Sequence, residues 1–210
     1  HTYPPPFTST HHRHIHPHAP RAPGGRGAAG AMCGILLLVS GVHLEAQGAG
    51  GSGGQAGPVE GADRAAYGVE DFSARLARRG PDSLETVRVV TESGASLDLA
   101  ASLLQLRGHV PARSIKQGAG GSVLCFNGEL FGGIPGLSEG ENDGDALLNA
   151  LDAAVSVPSL LSQLRGPWSL VYWCAGDQTL WYGRDGVGRR SLLARWPRRA
   201  GEQLVITSVS

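Results

Sequence analysis

Apolar residues along this chain come in two rhythms, and the switches between them mark out the elements. The stretch "AMCGILLLVSG" (31–41) carries the unbroken run Ile35, Leu36, Leu37, Leu38, Val39, which predicts a buried strand opening just after Cys33. In "VEDFSARLARR" (69–79) the rhythm changes: Val69, Phe72, Leu76 and Ala77 recur at helical spacing and stop at Gly80-Pro81. Strands are predicted next at 84–90, 97–108 and 121–126, the last closed by the turn residues Asn127-Gly128. Helical spacing returns at 145–155 and 158–166, the second with Pro158 at its start. Four further strands follow at 167–175, 179–185, 190–196 and 202–209, with "AGDQ" as the hairpin turn between the first two.

The order is strand, helix, several strands, two helices, several strands. Strands that cluster at hairpin spacing argue for antiparallel sheets with helices on their outer faces, an α+β architecture. A doubly wound parallel sheet would need stricter alternation.

Two stretches fall outside both rhythms. Residues 1–31 hold six of the eight histidines and six prolines but no acid, and too little apolar surface to offset the entropy of ordering. They read as a disordered His/Pro/Gly-rich leader. Their His-x-His spacing lacks a Cys or carboxylate to close a coordination shell, so no metal site is expected. Residues 46–62, "AQGAGGSGGQAGPVEGA", read as a Gly-rich surface loop. Gly48, Gly50 and Gly53 satisfy G-x-G-x-x-G there only through composition, with no strand before and no helix after.

Charge narrows the function. Lys+Arg and Asp+Glu are 18 each among 210 residues, a formal net charge of +0, which gives no footing for nucleic-acid or acidic-membrane binding. No apolar run reaches the length of a membrane span. The three cysteines, Cys33, Cys125 and Cys174, form no C-x-x-C pair and suit a reducing, cytoplasmic setting. Cys125 and Cys174 lie in apolar runs and read as core residues.

Five segments carry candidate chemistry: Met32-Cys33-Gly34, "RRGPDS" (78–83), "FNGEL" (126–130), "ENDGDALL" (141–148) and "YGRDGVGRRSLL" (182–193). Each has a bland reading: a core cysteine, a helix stop, a hairpin turn, a capped helix N-terminus and a charged turn. "FNGEL" has a sharper alternative, since the Asn127 amide and the Gly128 backbone N–H could serve as paired oxyanion donors.

In this order, MCGI, RRGPDS, LRG, FNGEL, ENDGDALL, RGPWSLVYW and YGRDGVGRRSLL resemble the N-terminal-nucleophile (class II) glutamine amidotransferase domain of asparagine synthetase-like proteins. The resemblance runs from Met32 to about Val209, interrupted at the Gly-rich loop. It implies a four-layer αββα fold over 32–210, two antiparallel sheets sandwiched between helices. It also implies roles: Cys33 as nucleophile, Asn127 and Gly128 as the oxyanion hole, Arg107 for the α-carboxylate of L-glutamine, Glu129 and Asp143 near its α-amine. After Arg107 the chain reads "LRGHVPARS" and departs from the family's Leu-Ser-Ile-type continuation. The Ser-Gly-Gly-x-Asp-Ser loop of the ATP- and Mg-dependent synthetase domain does not occur, so that domain is expected only in a longer form of the chain. No cofactor is expected in this part.

The mechanism implied uses the α-amine of a first-residue cysteine as base, because its pKa of about 7.7–8.0 suits the task and no histidine occupies a motif position. With Met32 still attached, Cys33 has only a peptide nitrogen, and the 210-residue form is expected to be inactive. The alternative is a catalytically silent module that keeps the fold for glutamine binding or protein interaction.

Overall fold

A computed structural model describes residues 33–41, 66–104, 113–134, 137 and 142–210. Predictions for the leader, the Gly-rich loop and Arg107 lie outside the described residues.

Nine strands and three helices occur among the described residues. Strands β1 (Gly34–Ser40), β2 (Ser83–Val90), β3 (Ser96–Leu103), β8 (Leu193–Arg195) and β9 (Leu204–Thr207) build a five-stranded sheet in the order β2-β3-β1-β9-β8. Strands β4 (Ile115–Gln117), β5 (Val123–Gly128), β6 (Trp168–Cys174) and β7 (Thr179–Arg184) build a four-stranded sheet in that order. Every strand pairing within both sheets is antiparallel. The helices are α1 (Glu70–Arg79), α2 (Asp143–Asp152) and α3 (Val157–Gln163).

The unbroken apolar run of β1 follows from its place at the centre of the larger sheet, buried on both faces. Ile35, Leu37 and Val39 point into the core between the sheets, against Ile115, Val123, Cys125, Val171 and Trp173 of the other sheet. Leu36 and Leu38 point the opposite way, into a cluster with Leu76 and Phe72 of α1. On the far side Leu124, Leu170 and Tyr172 pack against Leu147 and Leu151 of α2 and Val157 of α3. Period-two alternation thus sorts one set of strands into three apolar interfaces, and the layers run α1, larger sheet, smaller sheet, α2 with α3.

Helix ends lie close to their predicted places for local reasons. Asn142 caps α2, its side chain accepting from the Gly144 and Asp145 N–H groups at 3.0 and 3.2 Å. Helix α1 carries Glu70 and Asp71 in its first turn and Arg78 and Arg79 in its last, complementing the helix dipole. It stops at Gly80, where a Cβ would lie 2.4 Å from the Leu103 nitrogen, so only glycine lets the chain pass that close to β3.

Three sequence expectations change. The strand of "GSVLCF" continues through Asn127 and Gly128, which pair with Ser169 and Trp168 of β6. Asn127-Gly128 is therefore part of the ladder and not a hairpin turn; the pattern of turn residues hid this because a strand end and a turn draw on the same types. The expected strand at 190–196 shortens to Leu193–Arg195, since residues 185–190 are drawn into a turn around Asp185. Strand β4 was not foreseen: it spans three residues, with Ile115 its one buried side chain, too short for any periodicity to register.

Candidate active site

Cys33 stands immediately before β1, 8% exposed, where the larger sheet meets the smaller one. Its main-chain N–H donates to Asn127 Oδ1 at 3.2 Å. The next residues anchor this end of β1 on three sides. Gly34 N–H donates to Ser102 Oγ at 3.0 Å, and Ser102 Oγ donates to the Leu76 carbonyl of α1 at 2.7 Å. Ile35 N–H donates to Ser208 Oγ at 2.9 Å. A Cβ on Gly34 would lie 2.6 Å from Ser102 Oγ and 2.7 Å from Leu76 Cδ2, so glycine permits this close approach of helix and strand.

Asn127 is fully buried in β5. Its Oδ1 is taken by Cys33, while its Nδ2 is buried with no hydrogen-bond partner among the described residues. An unpaired buried amide donor costs on the order of 1–3 kcal/mol. Gly128 follows at the end of β5; a Cβ there would fall 2.4 Å from the Pro167 carbonyl oxygen. Glu129 is exposed. Asp143, the first residue of α2, accepts from the Leu130 N–H through Oδ2 at 2.8 Å, tying the helix to the segment that leaves β5.

Burial is the largest influence on the Cys33 thiol and pushes its pKa above the ordinary value. A hydrogen bond from the Leu104 backbone and the charges of Arg190 and Arg79 work against that rise without reversing it. The thiol is thus protonated at neutral pH, and nucleophilic chemistry here needs a base. None of the eight histidines lies among the described residues. Cys125, in the core between the sheets, is pushed up to about 12 by burial, then by the charge of Glu85, which makes it the inert residue its apolar run predicted. Among the described residues no group of three or more His, Cys, Asp or Glu gathers as a metal site, and no helix is long and apolar enough to cross a membrane.

The structure therefore joins Cys33 directly to Asn127, and connects Gly128, Glu129 and Asp143 through one short segment. Sequence reasoning missed Ser102, buried in β3, and Ser208, buried just after β9, neither with a motif around it. It also gave no role to Arg79 and Arg190, although both lie in segments it singled out. Arg79 Nη1 donates to the Ser208 carbonyl at 2.7 Å and to Ser191 Oγ at 3.0 Å.

No protein-family model matches the chain. The chain is 34% identical over 148 residues to asparagine synthetase domain-containing protein 1 of Gallus gallus, covering 69% of this chain and 23% of that protein. It is 36% identical over 143 residues to the protein of the same name from Bos taurus, and 35% identical over 143 residues to that from Homo sapiens, each match covering 67% of this chain and 22% of the relative. The chain thus spans under a quarter of the length of the curated relatives it matches. These similarities support an asparagine synthetase-like family.

Proposed function

We propose that this domain hydrolyses the side-chain amide of L-glutamine at Cys33, as the ammonia-supplying half of an asparagine synthetase-like enzyme. The observation that carries the reading is the divided use of Asn127: Oδ1 holds the Cys33 nitrogen at 3.2 Å, and the buried Nδ2 has no partner among the described residues.

Removal of Met32 turns the Cys33 peptide nitrogen into an amine with a pKa of about 7.7–8.0. That amine donates to Asn127 Oδ1, which turns its lone pair free to take the thiol proton. The thiolate sulfur adds to the amide carbon of glutamine, and Asn127 Nδ2 with the Gly128 N–H donates to the oxyanion. The ammonium returns its proton to the leaving nitrogen, ammonia departs, and a thioester remains. Water then adds to the thioester carbon, the C–S bond breaks, and glutamate leaves a restored thiol. Arg107 holds the α-carboxylate, and Glu129 and Asp143 face the α-amine. The ammonia passes to a synthetase domain in a longer form of the chain, where ATP, Mg and an acceptor such as aspartate would complete asparagine synthesis. Glutamate release from L-glutamine by a chain whose first residue is Cys33 tests the reading; no release would overturn it.

A further inference from the structure

Ser169 of β6 is fully buried, and its Oγ has no hydrogen-bond partner among the described residues. Register gives that hydroxyl a meaning, because Ser169 pairs directly with Asn127 of β5. Two places further along the same register, the Glu129 N–H donates to the Pro167 carbonyl at 3.0 Å. Hydrogen-bonded pairs recur at every second residue of an antiparallel ladder, so Asn127 and Ser169 form one too, with Cα atoms about 5.5 Å apart. Side chains directly opposite one another share a face of the sheet. Here it is the face turned to the larger sheet: Val123 and Cys125 precede Asn127 on it, and Val171 and Trp173 follow Ser169. The Cys33 nitrogen meets this row from the larger sheet, through Asn127 Oδ1.

Two buried polar groups thus stand side by side in one row, and among the described residues neither Asn127 Nδ2 nor Ser169 Oγ has a partner, not even the other. A carboxamide nitrogen carries two hydrogens, and the oxyanion accounts for one. A serine hydroxyl both donates and accepts, and burying it unpaired costs on the order of 1–3 kcal/mol that alanine would avoid. Ordered water commonly satisfies buried groups of this kind where two or more face one place. We propose that one water molecule sits between Asn127 Nδ2 and Ser169 Oγ, and that Ser169 is thereby a positioning residue for the oxyanion donor. The water accepts the second carboxamide hydrogen and donates to the Ser169 oxygen. With Oδ1 on the Cys33 nitrogen and one Nδ2 hydrogen on the water, the carboxamide is fixed at both ends. Its other hydrogen is then aimed before the substrate arrives. The role rests on the reading of Cys33 as the glutamine nucleophile. It matters most in the tetrahedral adduct, where the substrate's oxygen carries charge, so its loss falls on kcat and not on KM.

A high-resolution crystal structure of the chain should show one water within hydrogen-bond reach of both atoms. A direct Asn127–Ser169 bond, or no water between them, would overturn the proposal. In the chain whose first residue is Cys33, Ser169→Ala should lower kcat about tenfold and leave KM unchanged. In the Asn127→Ala background the same substitution should change kcat by less than about twofold, since nothing is left to position. A hydroxyl that merely supports the fold would act equally in both backgrounds; that result, or a kcat unmoved by Ser169→Ala, would overturn the proposal. A diazo-ketone analogue of glutamine gives a readout that needs no hydrolysis: the thiol proton passes to the diazo carbon, sulfur bonds to that carbon and dinitrogen leaves. Methyl methanethiosulfonate, from which the thiolate takes a methylthio group as methanesulfinate leaves, reports thiol reactivity alone. Ser169→Ala should lower the ratio of the two rates at Cys33 at least fivefold, and an unchanged ratio would overturn the proposal. A lowered ratio without glutamate release from the unsubstituted trimmed chain overturns the glutaminase and leaves the water seat standing. Release that Ser169→Ala does not alter does the reverse, and neither release nor labelling overturns both.

Discussion

Asn127 Oδ1 accepts the Cys33 N–H at 3.2 Å across 94 residues of sequence, joining the strand that opens the larger sheet to one at the heart of the smaller. The carboxamide is fully buried and its orientation is fixed by that bond, so the Nδ2 end has one direction left to face. Asn127→Ala should lower glutamine turnover by about a hundredfold or more, the scale of losing one oxyanion donor. Asn127→Asp keeps an acceptor for the Cys33 nitrogen but replaces the donor with a carboxylate. It should be as inactive while retaining more of the fold, as judged by thermal unfolding. Turnover within threefold of the unsubstituted chain in either variant would remove Asn127 from the oxyanion hole.

That relationship shows what the sequence could and could not convey. The apolar runs in "GILLLVS" and "SVLCF" are properties of each strand alone, so the existence of these two strands was legible. Which strands lie together depends on contacts far apart in sequence, such as Cys33 with Asn127 or Gly34 with Ser102. Motif order supplied the first through resemblance. Nothing local marks Ser102 or Ser208, because a serine whose hydroxyl bonds main chain looks like any other small polar residue in or beside a strand.

Gly80 tests the fold without touching the site's chemistry. A methyl group there would meet the main chain of Ser102 and Leu103, neither of which can swing aside. Gly80→Ala should cost about 1–3 kcal/mol in urea unfolding, in the range of overpacked cores. Gly94→Ala is the control for backbone strain alone, since a Cβ there meets nothing within 4 Å while φ is +83°; it should cost about 1 kcal/mol. Equal effects would mean that the close approach at Gly80 relaxes freely.

Stability at high pH should report the core cysteine. The native Cys125 thiol is pushed up to about 12, against an ordinary value of 9.0, so above pH 9 the unfolded chain loses this proton before the native one does. The contribution is fully present below pH 9 and declines as pH rises toward about 12, by up to about 1.4 kcal/mol per pH unit. Urea unfolding at pH 9 and pH 10.5 should show this loss, and Cys125→Ala should be less stable at both but with a shallower decline. An unaltered slope in the variant would place the pH dependence elsewhere.

Arg107 lies outside the described residues, and its role comes from its place in "LQLRG". A guanidinium on the α-carboxylate contributes roughly 1.5–3 kcal/mol as a charge-assisted bond. Arg107→Ala in the processed chain should therefore raise the glutamine KM at least tenfold, with a smaller effect on kcat. An unchanged KM would exclude Arg107 from substrate binding.

The N-terminus decides how the rest is read. Burial holds the Cys33 thiol protonated, the opposing charges of Arg190 and Arg79 do not reverse this, and Asn127 already places an acceptor on the cysteine's nitrogen. A base is missing only while that nitrogen is a peptide. A chain translated from Met32 and trimmed by one residue presents it as an amine, whereas the chain that begins at His1 does not. The trimmed chain should release glutamate and be labelled at Cys33 by a diazo-ketone analogue of glutamine; the long chain should do neither. Intact mass establishes which N-terminus each preparation carries. Equal release from both would mean that the amine is not the base. Release from neither, with glutamine still raising the melting temperature of the trimmed chain, would favour a module that keeps the amidotransferase fold to bind glutamine without cleaving it.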